Sequence, residues 1–219
     1  MTFHKVKLIE NSNLKLDEKI EILLIYANQK PATTIDLDNF NEFFLNEESY
    51  KTKDLKPIQN LLCKINLFHI IEPQEWAINE YMMPNGNIIQ FPTNFQTLYI
   101  SKNPEFTKRL LKASKIGDEK EIGRMYGFPE TAIQAYLGER RPFIGKTHYN
   151  NPLDFFTGFV FSQKYFKEEL ESTSKRWHDT IKKLSPKMHQ EIINLYKDID
   201  YNHLDLYWRD EIKIYYNTT

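Results

Sequence analysis

Residues 118–142 read "DEKEIGRMYGFPETAIQAYLGERRP", and the way this stretch folds decides the architecture of the second half of the chain. It holds two short amphipathic segments separated by Gly127. Asp118 and Glu121 have the spacing of a capping box, which opens a helix by satisfying its first backbone N–H groups. Ile122 and Tyr126 give the first segment an apolar face, and Gly123 is the small residue that a close helix crossing needs. Gly127 suits a turn that requires positive φ. Phe128, Ile133 and Tyr136 then supply the apolar positions that lock a second helix against the first. The spacing predicts two helices meeting at a tight corner over residues 118–138.

Upstream, "LDEKIEILLIYANQ" (16–29) has apolar residues at helical spacing, with Asp17 as N-cap and Pro31 as a stop. "TIDLDNFNEFFLNEE" (34–48) reads as a second helix. "LKPIQNLLCKIN" (55–66) reads as a third, capped by Asp54, with Pro57 tolerated in its first turn. The pattern then turns β-rich in "LFHIIE" (67–72), "IIQF" (88–91) and "TLYIS" (97–101). Asn85-Gly86 lies between apolar runs and is a hairpin signal, because both residues accept positive φ. Helix resumes at Asn103-Pro104 and runs to about Ser114. A long helix is expected over 162–184, and another over 185–199 with Ser185 as its cap. The chain is therefore α+β and mostly helical, with a small antiparallel sheet around 67–101 and a helix-turn-helix-like corner at 118–138. Residues 1–101 and 102–219 are its two regions, and these can form a single domain.

Bulk composition narrows the class. Hydrophobic residues make up 41% and charged residues 27% of the 219, as in folded rather than disordered proteins. Net charge is −1, so no global field recruits nucleic acid or anionic lipid. Only the middle of the chain is basic, with ten Lys/Arg against six Asp/Glu over residues 101–150. The single Cys63 excludes an internal disulfide or a multi-thiolate zinc site and points to a reducing, cytoplasmic setting. The longest apolar run, "ILLIYA" (22–27), is too short for a membrane span, and no signal peptide is legible.

Residues 110–142 resemble phage-repressor-type helix-turn-helix domains. "LLKASKIGDEKEIGRMYG" is similar to their first two helices, and "AIQAYLGERRP" to the recognition helix and its exit, where Gly138, Arg140 and Pro142 stand. The stretch between Tyr136 and Pro142 is about one residue short of that pattern. The resemblance implies duplex DNA as a partner. The outward residues of the second helix would then be Glu130, Thr131, Gln134 and Ala135, with Gln134 on an adenine and Thr131 on a thymine methyl. Lys120, Arg124, Arg140, Arg141 and Lys146 would meet phosphates. A second resemblance, over about 97–190, is to an uncharacterised archaeal family with a Gly-Tyr-Pro-x-Cys-Cys motif. Gly127, Phe128 and Pro129 fit it, but Thr131 and Ala132 stand in place of the cysteines. Thiol or metal chemistry at those positions is thus absent.

Elsewhere the sequence offers little chemistry. Its six histidines show no zinc spacing, and there is no GxSxG, P-loop or GxGxxG. His178-Asp179 reads as a surface or boundary pair, and His148 with Asp154 as a polar loop. No catalytic, metal or cofactor set emerges. Tyr207, Trp208, Tyr215 and Tyr216 load the C-terminus with aromatics suited to a protein partner, to self-association or to the protein's own core. The leading expectation is a nucleic-acid-binding protein using 118–142. Its rival is a non-catalytic intracellular interaction protein, and an enzyme without a recognisable signature is third.

Overall fold

Apolar spacing at both ends of the chain builds one core. The computed structural model describes residues 3–37, 54–73, 77–82, 88–93, 96–143, 153, 156 and 158–197, with side chains described outside 73–96 and 196–197. Helices α1 (Phe3–Glu10) and α2 (Leu16–Tyr26) bury Val6, Ile9, Ile20, Leu23 and Leu24. Asp17 is not the cap of α2. The helix begins two residues earlier, at Leu16 after Lys15, and the Glu18 carboxylate accepts from the Lys15 N–H at 2.9 Å. The helix ends where Asn28 takes a left-handed conformation, φ 57.

Where a second helix was expected from residue 34, the chain instead forms strand β1 (Ala32–Asp36). Thr33, Thr34 and Ile35 are β-branched and fit a pleated surface better than a helix. Residues 38–48 lie outside the described residues. Helix α3 (Leu55–Ile65) follows the expected pattern, with the Asp54 side chain accepting from the Lys56 N–H and Asn66 closing it at φ 62.

Strands β2 (Phe68–Pro73), β3 (Ala77–Met82), β4 (Ile88–Thr93) and β5 (Gln96–Ser101) form two antiparallel sheets. The first has the order β1-β5-β2, so β1 joins from outside the stretch in which a sheet was expected. In the second, β3 pairs with β4 from Ala77↔Thr93 to Met82↔Ile88, which puts Asn85-Gly86 in the connection, outside the described residues.

Helix α4 (Pro104–Ile116) starts on Asn103, which accepts from the Glu105 N–H, and ends on Gly117 at φ 68. Helices α5 (Glu119–Met125) and α6 (Glu130–Tyr136) form the corner. The long C-terminal helix is α7 (Phe166–Glu169), a π-helical turn (Leu170–Lys175) and α8 (Arg176–Leu184) in succession. The π turn buries Thr173 and Ser174, and Ser174 Oγ donates to the Phe156 carbonyl at 3.1 Å. Helix α9 (Pro186–Lys197) starts on Ser185, whose Oγ accepts from the Met188 N–H and donates to the buried Glu10 carboxylate. The aromatic residues 207–216 lie outside the described residues.

Trp177, Ile181, Met188 and Ile192 share a core with α1, α2 and α3. At roughly 1.5–3 kcal/mol per buried large apolar side chain, this contact fixes the C-terminal helices firmly onto the N-terminal ones. A smaller cluster of Ala32, Tyr99, Leu110 and Met125 seats α4 and α5 on the sheet.

Helices α8 and α9 also meet through His178 and His189, whose Nε2 atoms lie 2.9 Å apart. Asp179 is exposed, but His178 turns inward, with its Nδ1 3.0 Å from Asp179 Oδ1. Rings that face each other through two nitrogens share one proton, and a second would set two N–H groups head to head. Burial, then the charges of His178 and Lys182, hold His189 below the usual imidazole value of 6.5. The folded state therefore resists a proton that the unfolded chain accepts. The stability this adds is complete above pH 6.5 and is lost as pH falls below that value. The urea midpoint should drop between about pH 7.5 and about pH 5.5, and His189→Gln should flatten that slope.

Candidate functional site

The corner obeys the packing its sequence implies. The Asp118 side chain accepts from the Glu121 N–H at 3.0 Å, which starts α5. Glu121 does not complete the capping box, because its carboxylate is drawn to Arg109 at 2.6 Å. A methyl group on Gly123 would lie 2.8 Å from Ile133 Cγ1, so the absence of a side chain there is what lets α6 approach α5. Gly127 has φ +76 and sits against the backbone of Gln29 and Lys30 and the ring of Pro31. Phe128 packs against the main core, and Ile133 is buried. Tyr136 is not a lock: it is 60% exposed, and Ile133 is the side chain that lies nearest to Gly123.

Lys120, Arg124, Thr131, Gln134 and Arg140 are engaged within the chain by their side chains. Arg124 grips Glu130 with two hydrogen bonds of 2.9 Å, and this pairing holds the Glu130 carboxyl below its usual range. Lys120 lies 3.8 Å from Glu130 and 3.6 Å from Glu139. Thr131 Oγ1 donates to Glu169 Oε1, and Glu169, only 2% exposed, also accepts from the Ser162 N–H. Gln134 Oε1 accepts from Arg140, whose guanidinium lies 5.3 Å over the Tyr165 ring. The Arg141 side chain is exposed, but its carbonyl accepts from the Gln163 N–H at 2.9 Å. Phe143 donates its N–H to the Phe161 carbonyl and stacks on Phe166 at 4.0 Å. One flank of α6 and its exit are thus closed by residues 161–169. Lys146, like His148 and Asp154, lies outside the described residues.

Charge sharpens the point. Residues 118–142 themselves carry five Asp/Glu against four Lys/Arg, so the basic excess of the region comes from Lys102, α4 and Lys146, not from the corner.

Beneath the corner is a cavity of about 260 Å³, between α2, β1, the turn after α5, and α8. On one side Lys30, its side chain 6% exposed, donates to Glu21 Oε1 at 2.6 Å, and Thr33 donates to Glu21 Oε2 at 2.9 Å. Tyr126 and Thr34 share a hydrogen bond of 2.8 Å, and burial pushes the Tyr126 phenol up. The other side is aromatic, with Phe128, Phe156 and Trp177. Lys30 Nζ lies 4.2 Å from the Trp177 ring centre. Trp177 Nε1 is buried with no hydrogen-bond partner among the described residues, so Trp177 acts here through its ring face. No local pattern signals this site: Glu21 and Lys30 are separated by a helix end, and Trp177 arrives from the other end of the chain.

Among the described residues no group of three or more His, Cys, Asp or Glu is placed to hold a metal ion, and no helix is long and apolar enough to cross a membrane. No protein family, curated protein or solved structure matches this chain.

The corner's close crossing is open to a direct test. Gly123→Leu should lower stability by about 1–3 kcal/mol through overpacking, read from urea unfolding. Adding Ile133→Ala to Gly123→Leu should recover part of that loss. Wild-type stability in the single variant would contradict the contact.

Proposed function

We propose that the chain is an interaction protein in which 118–142 serves as a structural corner with a protein-docking edge at its outer end. One observation carries this reading. Tyr136 and Leu137 are exposed at the end of α6, and after Gly138 and Glu139 come the exposed Arg140 and Arg141. Tyrosine and arginine are the side chains on which protein interfaces concentrate their binding energy. An exposed tyrosine also loses little entropy when a partner covers it.

A second reading, nucleic-acid binding, rests on the Gly123–Ile133 crossing and the Gly127 turn, a close crossing and a tight turn of the kind that a helix-turn-helix needs. Charge weighs against it. Exposed ion pairs are worth only about 0–1 kcal/mol, so Arg124 and Lys120 can exchange Glu130 for phosphate at little cost. The released carboxylates would nevertheless face the same phosphates. Base reading by Thr131 would further require it to leave Glu169.

A salt titration with duplex DNA, single-stranded DNA and RNA separates the two. The interaction reading predicts no saturable binding at about 0.15 M salt and no effect of Arg140→Ala/Arg141→Ala. Steeply salt-dependent binding, weakened by that pair of changes, would establish the second reading instead. A photo-crosslinker at position 136 should capture a discrete protein that one at position 183 does not, and Arg140→Ala/Arg141→Ala should abolish the product. Equal products from both positions would overturn the docking edge.

A further inference from the structure

We infer that the cavity beneath the corner is a binding site for a small carboxylate with an aromatic body. The argument begins with the buried lysine. Replacing a buried ion pair by well-packed apolar residues is often neutral or stabilising, so stability gives no reason to place Lys30 here. Its ammonium has three N–H groups, and Glu21 takes one of them. No other acceptor for it is found among the described residues. Tyr126 and Thr34 have two hydroxyl hydrogens and spend one on each other. The polar side of the cavity therefore has donors to spare, and a ligand's acceptor atoms are what would complete it.

Charge selects among ligands in the same direction. Three aromatic rings beside a carboxylate would ordinarily make a cage for a cation. Here the chain supplies that cation itself, because Lys30 Nζ is already over the Trp177 ring and within 5.8 Å of Phe128. A cationic ligand would have to displace it. An anionic head can share Lys30 with Glu21 and leave the ring contacts in place. Phe128, Phe156 and Trp177 then favour a flat, apolar body of a size that fits about 260 Å³. Because Glu21 balances Lys30, N–H supply rather than net charge attracts the head, and binding should depend only weakly on salt.

The test uses the full chain, with phenylacetate and indole-3-acetate as probes and benzylamine as the control, followed by calorimetry and ligand-observed NMR. The carboxylates should saturate at roughly millimolar or lower concentration, and benzylamine should not. Lys30→Met should weaken carboxylate binding by at least roughly tenfold. Tyr126→Phe, which keeps the ring and removes one hydroxyl, should weaken it several-fold and keeps the test valid where Lys30→Met fails to fold. Absence of saturable carboxylate binding would overturn the inference. So would benzylamine binding as tightly, or carboxylate binding unchanged in Tyr126→Phe and in folded Lys30→Met.

Discussion

A lysine ammonium held almost out of water is the constraint around which the middle of this protein is arranged. A buried ammonium needs a partner in place of water, and Glu21, nine residues earlier on α2, accepts from it at 2.6 Å. The ring of Trp177 lies against the same charge and brings α8 with it. The backbone of Gln29 and Lys30 then forms the floor on which Gly127 turns. The connection after α2, the corner and the C-terminal helix thus meet at one side chain. The cavity is what remains between them.

The corner's contribution is geometric before it is electrostatic. Gly123 and Gly127 matter because of what lies against them: Ile133 in one case, the 29–31 backbone in the other. Its ion pairs contribute little energy singly, since exposed pairs are worth about 0–1 kcal/mol. They do set the character of the surface. With Arg124 on Glu130 and Lys120 between Glu130 and Glu139, these charges of the corner are matched within the chain. Helix geometry of this kind occurs in proteins with unrelated roles, so the surface, rather than the fold, decides the functional reading.

Short-range signals were the legible ones. Asp54, Asn103 and Ser185 each cap the helix they precede, and the glycines of the corner fall where the turn and the crossing need them. Residues 32–36 were not legible as a strand, because their place is decided by pairing with β5, more than sixty residues away. Tyr136 was misread because helical spacing marks a face without saying how much of it a partner helix covers. Helical spacing puts Thr131 and Gln134 on an outward face, but spacing alone does not reveal that Glu169 and Arg140 engage them. The cavity left no trace at all, since its polar and aromatic sides come from α2, β1, the corner and α8.

A double-mutant cycle in urea unfolding on Glu21 and Lys30 tests this account most directly. Glu21→Gln should cost roughly 3 kcal/mol, because it strands a buried ammonium. Adding Lys30→Met, which removes that charge, should restore most of the loss. If Glu21→Gln is nearly silent, or the two costs simply add, the buried lysine does not organise the structure and the account fails.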